Sequence, residues 1–161
     1  MTTGGRSRAT RPTGRRAVLA GAGASLALLG TASMPRRALA DPETTAREIW
    51  RLMGAIEPRD GRVVLDMPAI AENGFVVPLT VSVDSPMTAA DHVKAIHVFA
   101  ELNPWPTLAS FHFGPLSGRA QVSTRVRLAR TQDVMAFAVM NDGSVWRTVR
   151  RVEVVIGGCG A

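Results

Sequence analysis

The chain predicts a mainly β fold: an antiparallel immunoglobulin-like β-sandwich with a short N-terminal helix and a flexible C-terminal tail. Three observations carry this expectation. Residues 77–83 and 119–128 alternate apolar with polar side chains, the period of a half-buried strand. Turn residues recur at short intervals between such segments. Only one stretch after residue 40 spaces its apolar residues as a helix does.

Residues 1–40 read as an export signal of the twin-arginine type. Arg6, Arg8, Arg11, Arg15 and Arg16 make a basic start without an acidic residue. An apolar stretch rich in alanine and glycine follows over residues 17–34, and Ala38-Leu39-Ala40 forms a cleavage site before Asp41. The pair Arg15-Arg16 suggests the route, although Gly14 stands where Ser or Thr is usual. Arg36-Arg37, close to the cleavage site, disfavours the ordinary secretory pathway. The apolar stretch is at the lower limit for a spanning helix, so no membrane anchor is expected after cleavage.

Cleavage changes the electrostatics. The 161-residue chain carries +6, but seven of its 19 basic side chains and none of its 13 acidic ones precede Asp41. The remainder holds twelve basic against thirteen acidic side chains, which removes the charge argument for nucleic-acid binding. The expected location is the bacterial periplasm, an oxidising compartment.

The expected domain spans residues 41–156. Asp41 caps a helix, Pro42 takes its first position, and Ile49, Leu52, Met53 and Ile56 form its apolar stripe. Pro58 and Gly61 are expected to end it. Strands follow at residues 62–66, 77–83, 93–102, 108–113, 119–128, 134–140 and 144–156. The turns between them include Glu72-Asn73-Gly74, Asp84-Ser85-Pro86, Asn103-Pro104-Trp105-Pro106, Ser117-Gly118 and Asn141-Asp142-Gly143. The last of these predicts a hairpin.

Residues 134–140 are apolar on both faces, with Met135, Phe137 and Val139 opposite Val134, Ala136, Ala138 and Met140. A sandwich strand normally has one wet face, so a second cover is required: the helix or another protein. In residues 144–156 the apolar parity changes near Arg150-Arg151, which predicts a bulge. Ile156 is expected to be the last residue anchored in the sheet, with the tail leaving at Gly157.

The tail, residues 157–161, carries Cys159, the one cysteine of the chain, between Gly157-Gly158 and Gly160-Ala161. A single cysteine makes no internal disulfide. Five residues reach at most roughly 16–18 Å. Glycine makes the arm thin and conformationally free, suited to entering a channel and poorly suited to holding a nucleophile still. No histidine or lysine lies near Cys159 in sequence to lower its pKa, so activation must come from a receiving protein. A covalent carrier, an intermolecular disulfide and a frayed end all remain open. Prenylation is disfavoured, because two residues follow the cysteine and the motif needs three. Direct redox catalysis lacks a resolving cysteine.

Other candidates are weaker. His92, His97 and His112 have no paired metal-ligand spacing, and His92 and His97 have opposite strand parity. Arg125, Arg127 and Arg130 form an outward basic stripe, either a solvated face or a docking surface for acidic partners or anionic cargo. Asp133, Asp142 and Glu153 make no convincing catalytic pair. No metal and no cofactor are expected.

The terminal Ile156-Gly157-Gly158-Cys159-Gly160-Ala161 resembles the GGCGG ending of the SoxY family, sulfur carriers of bacterial thiosulfate oxidation. Glu72-Asn73-Gly74, residues 81–87, Asn103-Pro104-Trp105-Pro106, residues 109–113 and residues 122–129 are also similar to segments of that family. Ala161 departs from the usual final glycine. The resemblance implies that Cys159 is the covalent attachment point and that Gly157, Gly158 and Gly160 form a swinging arm. It implies a non-catalytic carrier that forms a heterodimer with a SoxZ-like subunit. It further implies visits to a c-type haem SoxAX-like enzyme that attaches thiosulfate, a SoxB-like hydrolase that releases sulfate, and a SoxCD-like molybdenum-haem enzyme. The competing reading is an exported interaction module whose cysteine forms an intermolecular disulfide, as in a disulfide-linked homodimer.

Overall fold

In a computed structural model of the chain, the helical stripe becomes α1, Pro42–Met53. Met1 and residues 42–158 are described. The expected signal segment, Asp41 and the residues Cys159, Gly160 and Ala161 lie outside the described residues. Glu43 sits in the first turn of α1 and Arg51 in its last, each favourable to the helix dipole. Gly54 ends the helix: its φ is +72°, a left-handed cap, and its N–H donates to Trp50 O at 2.7 Å. The expected stop at Pro58 and Gly61 therefore comes too late, and Ile56 lies beyond the helix, exposed. Thr45 is buried, and its Oγ1 donates to Glu101 O at 3.0 Å, fastening α1 to the sandwich.

Nine strands follow: β1 Arg59–Asp60, β2 Val63–Asp66, β3 Ile70–Asn73, β4 Val77–Val83, β5 Val93–Ala100, β6 Thr107–His112, β7 Gln121–Val126, β8 Gln132–Met140 and β9 Val145–Ile156. One sheet runs β1-β9-β8-β5-β6, with β3 also pairing β9; the other runs β2-β4-β7. All seven expected strands are present, β4 with the expected ends. The Asn141-Asp142-Gly143 turn makes the β8–β9 hairpin. There Gly143 takes a φ of +86° and Ser144 N–H donates to Asp142 Oδ1 at 2.9 Å.

Two strands went unforeseen. β1 and β3 both pair with β9 in parallel, so the sandwich is not wholly antiparallel. Segments of two and four residues are too short to show a period, and Glu72-Asn73 carries turn residues although it belongs to β3. β9 is consequently clasped by β8 on one side and by β1 and β3 on the other.

The core between the sheets is built from residues such as Leu79, Val81, Ile96, Val98, Leu128 and Val134. A second cluster joins Met53 of α1 to Phe99, Phe137 and Val145, with Ile49, Leu52, Met135 and Val139 packed around it. Phe99 and Phe137 meet edge to face with centroids 5.7 Å apart. The helix is thus the second cover that β8 required. Burying each of these large side chains contributes about 1.5–3 kcal/mol.

The same packing explains the parity change in β9. Its register with β8 runs unbroken from Gln132↔Val152 to Val139↔Val145, so the expected bulge is absent. Val145 faces the helix-side cluster, while Val152 and Val154 face the core between the sheets. A straight strand whose two halves are covered on opposite faces shows the same sequence pattern as a bulge.

Candidate functional site

The tail springs from the end of β9, and the structure brings three segments together there. Gly74, in the turn after β3, donates its N–H to Ile156 O at 2.7 Å. Gly74 O in turn accepts Leu128 N–H at 2.8 Å. Leu128 O accepts Gly158 N–H, also at 2.8 Å. The root of the tail is therefore hydrogen-bonded between the β3–β4 turn and the β7–β8 loop. The described chain stays fastened through Gly158, two residues beyond the expected last anchor at Ile156.

Space explains the glycines here. Gly74, Gly157 and Gly158 have no positive φ, so the backbone conformation alone does not demand glycine. A Cβ on Gly157 meets Ala129 O, and one on Gly158 meets Gly74 O and lies 2.6 Å from Phe75 N. A Cβ on Gly74 meets Leu128 O and lies 2.9 Å from both Gly158 N and Val154 Cγ1. Most of these obstacles are backbone, which no rotamer change relieves. Gly158 is buried, and the backbones pack at a separation only glycine permits. Sequence reasoning recognised Gly74 as a turn residue and missed this second role, which depends on contacts with Leu128 and Gly158, far along the chain.

Exposed side chains surround this crevice. Phe75 and Val76 follow Gly74, Ile156 precedes Gly157, and Arg127 and Arg130 flank Leu128-Ala129. The guanidinium groups of Arg127 and Arg130 make no ion pair among the described residues. Arg125 lies apart on β7, beside a groove of about 580 Å³ lined by Pro78, Thr80 and Ser123. A second groove, of about 370 Å³, lies between α1 and β8. No residue of the crevice lines either.

The histidines do not converge on one point. His92 Nδ1–H donates to Thr88 O at 3.0 Å. His97, on β5, contacts Ser110 Oγ through Nδ1 at 2.8 Å, and its ring meets that of His112 edge to face at 6.2 Å. Among the described residues no group of three His, Cys, Asp or Glu side chains is placed to hold a metal. Asp133 pairs with Arg151 at 3.2 Å, and Asp142 serves its turn, where hydrogen bonds from Ser144 lower its pKa.

His97 makes the fold sensitive to acid. Burial, and secondarily the like charge of His112, hold its pKa below the ordinary value of 6.5. The unfolded chain takes up this proton first as pH falls. Stability is therefore full above about pH 6.5 and is lost as pH drops from there through the lower folded value. Urea unfolding at about pH 7.5 and 5.5 is expected to show this loss, and His97→Gln to shrink it. An undiminished loss in the variant assigns the effect elsewhere.

Comparison with known proteins places this architecture. A family model described as sulfur oxidation protein SoxY matches residues 50–159. The structure of the sulfur carrier protein SoxY from Chlorobium limicola f thiosulfatophilum is similar at 30% identity and a TM-score of 0.60, covering 71% of this chain and 98% of that one. A superoxide reductase (neelaredoxin) from Ignicoccus hospitalis shares the fold at 19% identity and a TM-score of 0.52, covering 58% of this chain and 80% of that one. The superoxide reductase from Nanoarchaeum equitans does so at 12% identity and a TM-score of 0.50, covering 60% and 99%. No curated protein matches. The family match spans over two thirds of the chain and runs from α1 to the cysteine itself, and on that ground the chain belongs to the SoxY family of sulfur oxidation proteins.

Proposed function

We propose that the protein is a periplasmic covalent carrier of sulfur intermediates, with its cargo bonded to Cys159 Sγ and presented to partner enzymes. The observation that carries this reading is the clasped root. Gly158 is fastened to the sandwich by Leu128 O, and the next residue is the cysteine. The thiol is thereby offered from a fixed base, one residue beyond that anchor.

Loading is an oxidation. Thiosulfate joins Cys159 Sγ through its sulfane sulfur, forming an S–S bond and a terminal sulfonate. The thiol proton is released, and two electrons pass to the haem enzyme. Hydrolysis of the S–SO₃ bond by a second enzyme then adds water, releases sulfate and leaves a persulfide on Cys159. A molybdenum-haem enzyme is the proposed oxidant of that remaining sulfur. The carrier supplies the attachment atom and its placement, and its partners supply the catalysis. A SoxZ-like subunit is the proposed heterodimer partner, on a surface other than Phe137, which α1 covers.

Export by the twin-arginine route fits the arginine pair at Arg15-Arg16 and moves folded protein, so the heterodimer crosses already assembled. Cys159→Ser tests the function in the cell. Conversion of thiosulfate to sulfate is expected to fall to background, with the protein still folded and exported. Retained conversion overturns the carrier. If the variant lacks only a reductant-sensitive dimer, the cysteine serves an intermolecular disulfide instead.

A further inference from the structure

We propose that the buried amide pair Asn103 and Gln132 positions the carrier arm by fixing the loop that grips its root; this rests on the carrier reading of Cys159. Asn103 is 5% exposed and Gln132 0%. Asn103 Nδ2 donates to Arg127 O at 2.8 Å, and Asn103 Oδ1 accepts Ala129 N–H at 2.9 Å. Gln132 Nε2 donates both to Asn103 Oδ1, at 2.8 Å, and to Arg130 O, at 3.1 Å. Gln132 Oε1 accepts Leu102 N–H at 2.7 Å.

These bonds hold the β7–β8 loop at three backbone points, on both sides of Leu128. The Leu128 side chain is fully buried, which leaves its N–H and C=O directed at Gly74 and Gly158. The two amides therefore fix the Leu128 carbonyl, which accepts the Gly158 N–H, and the Ala129 carbonyl, against which Gly157 packs. An apolar pair filling the same space avoids the desolvation cost of two amides. What the amides supply instead is a defined loop shape, because three backbone groups of the loop are bonded to one buried cluster. Pro104 and Pro106 restrict the backbone that presents Asn103, which gives the Asn103-Pro104-Trp105-Pro106 segment a role beyond turning the chain. Asn103 and Gln132 act through the loop and are positioning residues.

Residue-resolved amide hydrogen exchange on the whole protein tests this without cargo or partner. In Asn103→Ala, the Gly158 and Leu128 amides are expected to exchange about tenfold faster or more, while Val98 and Ala136 in the central strands keep their rates. A merely structural role raises all four together. If Asn103→Ala does not fold, Gln132→Met removes the bond to Arg130 O with a side chain of similar shape and no buried charge, and a smaller rise confined to the same two amides is expected. Unaltered Gly158 exchange in a folded variant, or a uniform rise, overturns the proposal. Either result leaves the carrier function standing, since that is decided by Cys159→Ser.

Discussion

Phe137→Asp is expected to cost about 4 kcal/mol or more, enough to unfold much of the population of a marginally stable domain. Phe137 is 3% exposed and lies between α1 and the six-stranded sheet, edge to face with Phe99. Truncating a buried phenylalanine alone costs about 3–5 kcal/mol, and the carboxylate adds a desolvation penalty. Arg147 is its cross-strand neighbour on β9, but that guanidinium already contacts Asp60 Oδ1 at 3.0 Å and is half exposed, so it offsets little. Urea unfolding of the isolated chain measures the effect. A loss below about 1 kcal/mol means that α1 does not cover this face in solution and that another protein does.

Gly158→Ala is expected to keep the sandwich folded and to slow loading of Cys159 roughly a hundredfold, the scale of a reacting group misplaced by about an ångström. Its Cβ meets Gly74 O, and neither backbone has a side chain to move aside. The root must shift, and the Gly158–Leu128 hydrogen bond goes with it. Overpacking of this kind costs about 1–3 kcal/mol, less than the whole fold. Gly157→Ala acts through Ala129 O in the same way. The readout is the rate of thiosulfate-dependent adduct formation with the haem enzyme, beside a thermal melt. Normal loading in a folded Gly158→Ala protein shows that the clasp does not place the thiol.

The fold was legible wherever one strand face is wet and the other dry. β4 shows that alternation cleanly, with Val77, Leu79, Val81 and Val83 buried, and its ends were found. Legibility failed where cover comes from two directions. β9 read as bulged because its upper half packs under α1 and its lower half against the other sheet, a tertiary fact that one strand's sequence does not contain. β1 and β3 were invisible because their stability comes from pairing with β9 and their own side chains are mostly exposed. The helix ends at Gly54 and not at Pro58, because a glycine in the left-handed region closes the last turn before the proline is reached.

The chemistry of the site was more legible than its mechanics. Cys159 stands out as the one thiol, with glycine on both sides. Flexibility was the natural reason for Gly157 and Gly158, yet in the folded chain both are packed against backbone from distant turns. Gly74, Leu128 and Asn103 belong to the same device, but nothing in a linear sequence joins positions 74, 103, 128 and 158. Only the sheet topology, which lays β3 beside the end of β9, brings them together.

Mass analysis of the C-terminal peptide tests the carrier mechanism most directly. The protein is taken from cells oxidising thiosulfate, digested without reductant, and the peptide ending Cys159-Gly160-Ala161 is weighed. Covalent carriage predicts a mixture of thiosulfonate and persulfide adducts on that peptide, removed by reductant and absent from cells without thiosulfate. An unmodified thiol, or only a disulfide to a second protein, under active thiosulfate oxidation contradicts it.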